Sequence, residues 1–403
     1  MSRQRERSFE SAFAPLLSAM SSTSETSFAG DSLDDDSLMR LALEEAWQGV
    51  GRTAPNPPVG AVVAHAGRVL SKGFHRRAGG PHAEVDALSK LENVPSDASI
   101  YVTLEPCVHF GRTAPCTQRI IDSGLKRVVI GCRDPNPKVN GKGMRALREA
   151  GVDVEMIANP AIRQSAEALI KPFRMVTMQK RPYVIAKIAT TMDGRVATHS
   201  GASRWITEEP ARRLVHYLRN RVDGVMVGSG TVLADNPSLN VRFHQKGSSS
   251  RNPRRIVIDS GLKTDPNAPV YHFHSRDGRH ASPIVFHQVT ADDTRKASFD
   301  AMDVRRIELQ STTEHVPLKD VWPHLNRLDL TSVLVEAGPA LLTQLLKEEQ
   351  VDELWWFLAP KIIGSDGIPA TRLEGVDDMS EALSFKNARW HPVGRDLLSV
   401  IEL

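Results

Sequence analysis

Four side chains in the first third of the chain have types and spacing suited to activating a water on a metal. His82 and Glu84 lie two apart in Pro81-His82-Ala83-Glu84, Cys107 follows Glu105-Pro106, and Cys116 comes after it. One imidazole and two thiolates favour zinc, and three protein ligands leave a fourth position for water, which marks a catalytic site rather than a closed structural one. A structural site would want a fourth cysteine or histidine, and none is evident nearby in the sequence. Glu84 is then a carboxylate with no ligand role, set at the start of a helix that Pro81 suits as the first helical residue. From there it can move protons to and from a water on the metal.

The combination carries this reading, since fourteen histidines in the chain make chance neighbours easy. His-x-Glu at a helix start, Thr103-Leu104-Glu105-Pro106-Cys107 after a strand, and a second cysteine match the signature of zinc nucleobase deaminases, in which the glutamate stays off the metal. Those enzymes commonly close the pair as Cys-x-x-Cys, whereas residues 108–115 intervene here. The insert carries His109 and Arg112, both suited to a phosphate, Arg through its planar fork of donors. A solvated loop is the plainer alternative.

These residues need strand ends and helix starts to meet. Leu38, Leu41, Ala42, Ala46 and Val50 recur at about 3.6 residues, with Ser37 or Asp36 available as N-cap, so a folded unit starts at Leu38. Strands follow over 59–63, 99–104, 127–131 and 152–154, and helices over 84–91, 118–123 and 141–150. The alternation implies a sheet covered by helices, with the cysteine segment after a strand end. Residues 160–180 read as a connecting helix. A second α/β series then has strands over 182–189, 224–228, 255–259, 283–287, 303–308, 332–336, 353–359 and 397–403, with helices over 209–220, 318–328 and 339–348. The domains expected are a disordered extension over 1–37, units over 38–158 and 182–403, and a connecting helix over 159–181. Arg3, Arg5 and Arg7 among serines have some flavour of a transit peptide, which Glu6 and Glu10 argue against.

At 403 residues the chain is too long for one ordinary core. Hydrophobic residues at 40% and charged residues at 25%, without a long apolar run, are those of a soluble protein with no membrane segment. A net charge of +3 with 5% aromatics gives no basic, aromatic-lined stripe for nucleic acid, so a small substrate is expected. Three cysteines make no disulfide framework and suit a reducing cytoplasm; Cys132, at the end of an apolar run, reads as a buried small hydrophobe.

Longer markers are Pro55-Asn56-Pro57-Pro58-Val59-Gly60, His75 with Arg77-Ala78-Gly79, Gly111-Arg112-Thr113 with Pro115-Cys116, and Asp134-Pro135-Asn136-Pro137. With the zinc motifs, they make the chain resemble a bifunctional riboflavin-biosynthesis family from about Leu38 to its end. That family joins a diaminohydroxyphosphoribosylaminopyrimidine deaminase to a 5-amino-6-(5-phosphoribosylamino)uracil reductase. The resemblance implies a cytidine-deaminase-like three-layer domain followed by a dihydrofolate-reductase-like α/β domain. It implies zinc on His82, Cys107 and Cys116, with Glu84 as proton carrier, and a deaminase pocket of Asn56, His75, His109, Arg112, Asp134 and Asn136. In the second half, Lys187, Ser203, Arg219, Leu239, Arg242 and Glu336 correspond to substrate contacts. Ala189, Trp205, Thr231, Asp235 and Gly338 correspond to NADPH contacts. The implied reactions are hydrolytic deamination of the diaminopyrimidine ribose phosphate and NADPH-dependent reduction of its ribosyl chain to ribityl, and the family precedent implies a homo-oligomer.

Two departures stand out. Ala337-Gly338-Pro339 replaces the family's usual glycine pair, and an alanine there would restrict a positive φ and the approach of a cofactor. Leu169-Ile170-Lys171-Pro172-Phe173 also departs from its pattern. These two sites are the only support for a rival reading in which the deaminase works and the reductase has decayed. A nucleic-acid deaminase would leave the second half without purpose, and a zinc-stabilised scaffold would gain nothing from Glu84.

Overall fold

A computed structural model of the chain describes residues 32–108, 115–137, 139–242, 251–272, 281–313, 315–385 and 387–403. Backbone proximity divides these into two compact units, one ending at Lys180 and the other spanning Arg181–Leu403.

The first unit runs α1 (Asp35–Gly49), β1 (Gly60–His65), β2 (Arg68–Phe74), α2 (Ala83–Leu88), β3 (Ser99–Leu104), α3 (Cys116–Asp122), β4 (Arg127–Cys132), α4 (Lys142–Glu149), β5 (Asp153–Met156), α5 (Pro160–Leu169) and α6 (Lys171–Gln179). Its sheet has the order β2-β1-β3-β4-β5; β1 is antiparallel to β2 and β3, and the pairs β3-β4 and β4-β5 are parallel. Successive strand residues alternate faces, and both faces are apolar. Val62, Ala64, Tyr101 and Val129 pack under α1 and α5, while Ala61, Val63, Ile100, Val102, Val128 and Ile130 pack under α2, α3 and α4. Three layers follow.

The fold begins earlier than periodicity places it. Asp34 caps α1 by accepting the Ser37 N–H at 2.8 Å, Leu33 N–H reaches Gly67 O at 2.9 Å, and Asp35 pairs with Arg127 at 2.6 Å. The acidic run that reads as part of a solvated tail is therefore a helix cap and first turn, where carboxylates offset the helix dipole. Residues 1–31, the rest of the expected extension, lie outside the described residues.

The expected connecting helix is two helices. The chain breaks at Ile170 (φ −98°, ψ 8°), and Pro172, which has no N–H to donate, stands in the first turn of α6. Ile162, Ala166 and Leu169 of α5 belong to the first core, so this helix is part of the unit rather than a link.

The second unit contains β6 (Tyr183–Thr191), β7 (Arg195–Ala197), α7 (Glu209–Arg219), β8 (Gly224–Gly228), α8 (Ser229–Asp235), β9 (Arg254–Ile258), β10 (Ile284–Gln288), α9 (Asp293–Asp300), β11 (Arg305–Leu309), α10 (Leu318–Asn326), β12 (Ser332–Glu336), α11 (Pro339–Lys347), β13 (Glu353–Ala359), β14 (Ile368–Pro369), β15 (Asn387–Val393) and β16 (Asp396–Glu402). Its main sheet has the order β11-β10-β9-β8-β12-β6-β13-β16-β15, parallel through β13 and antiparallel beyond. Met226, Ile256 and Phe286 face the core with α10 and α11, whereas Val225, Val227, Val257 and Val285 face the one with Val232 of α8 and Phe299 of α9.

Two candidate active sites

The first site forms where two helix starts meet the end of β3. A Cβ on Gly73 of β2 would lie 2.4 Å from Ala87 N and 2.5 Å from Ala83 O, so glycine there lets α2 rest directly on the strand. His82 is the N-cap of α2 in extended backbone (φ −72°, ψ 164°), and Glu84 stands in the first turn. Pro81 thus precedes the cap instead of opening the helix, because His82 takes the half-helical position. Cys116 is the first residue of α3; its N–H donates to Cys107 Sγ at 3.4 Å, and Thr117 N–H and Oγ1 both donate to Cys107 O at 3.2 Å.

His82 Nδ1 lies 3.2 Å from Cys116 Sγ and 3.7 Å from Cys107 Sγ, and the three ligand atoms all fall within 4.8 Å of one another. Tetrahedral zinc with these donors needs separations of roughly 3.5–3.8 Å, so the residues present fit the ion. The three groups also bond one another, and this shifts their protonation. The Cys107 thiol is held well below its ordinary value, chiefly by the Cys116 thiol that donates to it and against its own burial, and the same contact pushes Cys116 up. His82 is raised mainly by its bond to Cys107. Glu84 is only 3% exposed, and burial pushes its carboxyl up against the pull of His82.

Behind His82, the rings of His75 and His82 meet edge to face at 5.3 Å. His75 Nδ1 lies 2.9 Å from Pro81 O and its Nε2 lies 3.1 Å from Asn56 Nδ2. A carbonyl can only accept and an amide nitrogen only donate, so His75 is neutral with its proton on Nδ1, and burial lowers its pKa. Asp134, 7% exposed, accepts the Asn136 N–H at 2.7 Å. His109 and Arg112 lie outside the described residues.

The second site is a cleft of about 1020 Å³ within the second unit. Lys187, Ala189, Ser203, Trp205, Arg219, Thr231, Asp235, Leu239, Arg242, Glu336 and Gly338 all line it. Lys187 and Glu336 are register partners on the parallel strands β6 and β12. Arg219 donates Nε and Nη2 to the two Glu336 oxygens at 2.5 and 2.9 Å. Burial pushes the Glu336 carboxyl up, but the Arg219 charge and hydrogen bonds, with Lys187, outweigh it and hold it down to about 2. Burial lowers the Lys187 ammonium, with Glu336 opposing. Ser203 Oγ donates to Asp235 Oδ1 at 3.1 Å, Arg204 Nη2 donates to Asp235 O at 2.8 Å, and Arg212 stacks over the exposed Trp205 ring at 4.5 Å.

Residues 32–132 match the family described as cytidine and deoxycytidylate deaminase zinc-binding region, and residues 182–399 match the RibD C-terminal domain. Riboflavin biosynthesis protein RibD of Aquifex aeolicus is 39% identical over 90% of this chain and 97% of that protein. The chain belongs to the RibD family. RibD of Escherichia coli K12 is 37% identical over 91% of this chain and 98% of its own length. Among solved structures, the Thermotoga maritima diaminohydroxyphosphoribosylaminopyrimidine deaminase/5-amino-6-(5-phosphoribosylamino)uracil reductase superposes with a TM-score of 0.76 at 34% identity, over 91% of this chain and 98% of that one. Acinetobacter baumannii RibD gives 0.79 at 32% identity over the same shares. Like its RibD relatives, this chain is a bifunctional riboflavin-biosynthesis enzyme, a zinc-binding-type deaminase followed by a reductase. No helix among the described residues is long and apolar enough to cross a membrane.

RibD membership does not by itself explain two features. Glu105, which the motif presents only as a neighbour of Cys107, is 3% exposed and accepts backbone N–H groups from Gly141 and Gly143 at 2.9 Å, Met144 at 3.3 Å and Asp134 at 3.4 Å. One carboxylate thus ties the Cys107 strand end to the start of α4 and to Asp134. Its signal in sequence is limited to Gly141 and Gly143, which mark a helix start. Ala337, expected to suffer where φ turns positive, is not among the positive-φ residues; its N–H donates to Lys187 O at 3.2 Å, so alanine fits there without strain. Gly338 is the residue at close approach, since a Cβ on it would lie 3.1 Å from Thr231 Oγ1.

Proposed function

We propose that the first unit hydrolyses the amine from diaminohydroxyphosphoribosylaminopyrimidine and that the second reduces the ribosyl chain of the product to ribityl with NADPH, giving a ribitylamino-uracil phosphate. The names borne by RibD relatives and by the Thermotoga structure support these substrates. Zinc held by His82, Cys107 and Cys116 would acidify a water at the open position. The Glu84 carboxylate takes a proton from the attacking water and returns it to the departing amine, so water enters at the amine-bearing ring carbon and ammonia leaves. Its burial raises the carboxyl toward the range in which it both accepts and gives up a proton. His75 holds the Pro81 carbonyl and hence the backbone before His82, and orients Asn56. Asn56, Asp134 and Asn136, with His75, His109 and Arg112, take the pyrimidine edge and the ribose phosphate.

In the cleft, Ala189, Trp205, Thr231, Asp235 and Gly338 hold the cofactor, and Ser203, Arg219, Leu239, Arg242 and Glu336 hold the substrate. NADPH would supply hydride to C1 of the sugar. Lys187, whose ammonium pKa is lowered by burial, would contact the substrate with those residues and give a proton to the ring oxygen released as the sugar opens. The homo-oligomer and cytoplasmic location implied by the family belong to this reading; sedimentation of the purified chain checks the first.

One observation carries the proposal. The His82, Cys107 and Cys116 ligand atoms converge with buried Glu84 beside them. The test follows ammonia release and nicotinamide absorbance after adding the diaminopyrimidine ribose phosphate, with and without NADPH. Ammonia is expected without NADPH, and NADPH oxidation only once ammonia has formed. Ammonia release with no NADPH oxidation would leave a deaminase alone.

A further inference from the structure

We propose that His216 is a positioning residue of the reductase site, its unprotonated Nδ1 holding the backbone of Arg242 and so fixing the guanidinium that receives the substrate phosphate. The inference rests on the reading of the second unit as a reductase of a phosphoribosyl substrate. His216 and Arg219 stand three residues apart on α7, hence on one face, and both line the cleft. Arg219 Nη1 donates to Asn240 O at 3.0 Å, and the Arg242 N–H donates to His216 Nδ1 at 3.1 Å. Neighbouring turns of one helix thereby grip residues 240 and 242.

The gripped segment needs holding. Leu239 has φ 50°, a left-handed backbone that a branched side chain keeps only where its surroundings fix it. Val241 N–H is anchored to Asn252 Oδ1 at 2.8 Å, which leaves Arg242 to His216. A ring nitrogen that accepts an N–H carries no proton, so the imidazole is neutral. His216 is 4% exposed; burial, then the charges of Arg219 and Arg242, push it down to about 4, with Glu336 and Asn240 opposing, so it stays an acceptor at neutral pH. The cations differ in availability. Arg219 is neutralised by Glu336, whereas no carboxylate among the described residues pairs with the guanidinium of exposed Arg242.

The experiment compares His216→Phe and His216→Leu, which remove the acceptor, with His216→Asn, which returns an acceptor oxygen near Nδ1. Using two apolar variants keeps the comparison if one fails to fold. With phosphoribosylamino-uracil and NADPH, the apolar variants should raise the substrate KM about tenfold and weaken inhibition by inorganic phosphate in parallel. Their kcat and their KM for NADPH should stay within about twofold, and His216→Asn should recover most of the loss. In an Arg242→Ala background, His216→Phe should add no further rise. An unchanged substrate KM, an equal loss in the Asn variant, equal changes in kcat and both KM values, or an additive rise on Arg242→Ala would each overturn the role. A wild-type chain that never oxidises NADPH removes the reductase reading as well; an active one with unchanged variants removes only His216.

Discussion

The two sites of this chain are short of opposite charges. In the first, two sulfurs and a buried carboxylate crowd one imidazole, and protons are displaced onto whichever group holds them best. In the second, Lys187, Arg212, Arg219 and Arg242 face the cleft against Glu336 and Asp235. Two sulfurs and an imidazole nitrogen that converge suit a cation, and a cleft with surplus positive charge suits phosphate. The contrast teaches where each kind of site is built. A metal site is local, set by caps and strand ends a few residues from the ligands, whereas the cleft draws single residues from many strand ends.

The largest effect should separate the two chemistries. Glu84→Gln leaves His82, Cys107 and Cys116 in place and removes the proposed proton carrier, so ammonia release should fall by about 10³-fold. Zinc content and NADPH oxidation with a separately deaminated substrate should hold; parallel loss of both activities would break the comparison.

On the reductase side, Glu336→Ala strands Arg219, 10% exposed in its side chain, and should cost about 3 kcal/mol in denaturant unfolding of the second unit. The sign with pH follows from the Glu336 pKa, held down to about 2 in the folded state against roughly 4.3 unfolded. The carboxylate contributes its stability above the unfolded value and loses it as pH falls toward the folded one. The gap between wild type and variant should therefore be full above about pH 4.5 and close toward pH 2. A gap that widens in acid would contradict the ion pair.

Glu105→Ala releases backbone N–H groups that one buried carboxylate now satisfies, and should cost the first unit about 2 kcal/mol. Deaminase activity should drop while NADPH oxidation stays. The smallest change sharpens the other side: Ala337→Gly should leave the KM for NADPH within about twofold, because this alanine already sits at negative φ. A large gain in affinity would show that the side chain obstructs the cofactor.

How much of this the sequence discloses depends on the distance over which a feature is built. His82, Glu84, Cys107 and Cys116 are legible because each lies within a few residues of a cap or strand end, and the apolar strands are legible because both faces are buried. Glu105 is opaque because its partners Gly141, Gly143 and Met144 stand 36 to 39 residues away, and a carboxylate beside a motif looks solvated. β2 and β15 escape notice as edge strands without a continuous apolar run: β2 mixes Arg68, Ser71 and Lys72 into its length, and β15 is exposed over most of its length and contains Pro392. The Asp34 cap reads as a charged tail because capping depends on where the backbone turns. In the second unit no local spacing links Lys187 to Glu336; resemblance selects them, and only the parallel pairing of β6 with β12 gives the physical reason.

The central claim is a zinc centre with one imidazole and two thiolates, left open beside Glu84. X-ray absorption at the zinc edge of the purified chain tests it most directly. The account predicts one zinc per chain with two sulfurs at about 2.3 Å and two lighter donors at about 2.0–2.1 Å. A chain without stoichiometric metal, or a shell of four protein sulfur and nitrogen ligands with no place for water, would contradict it.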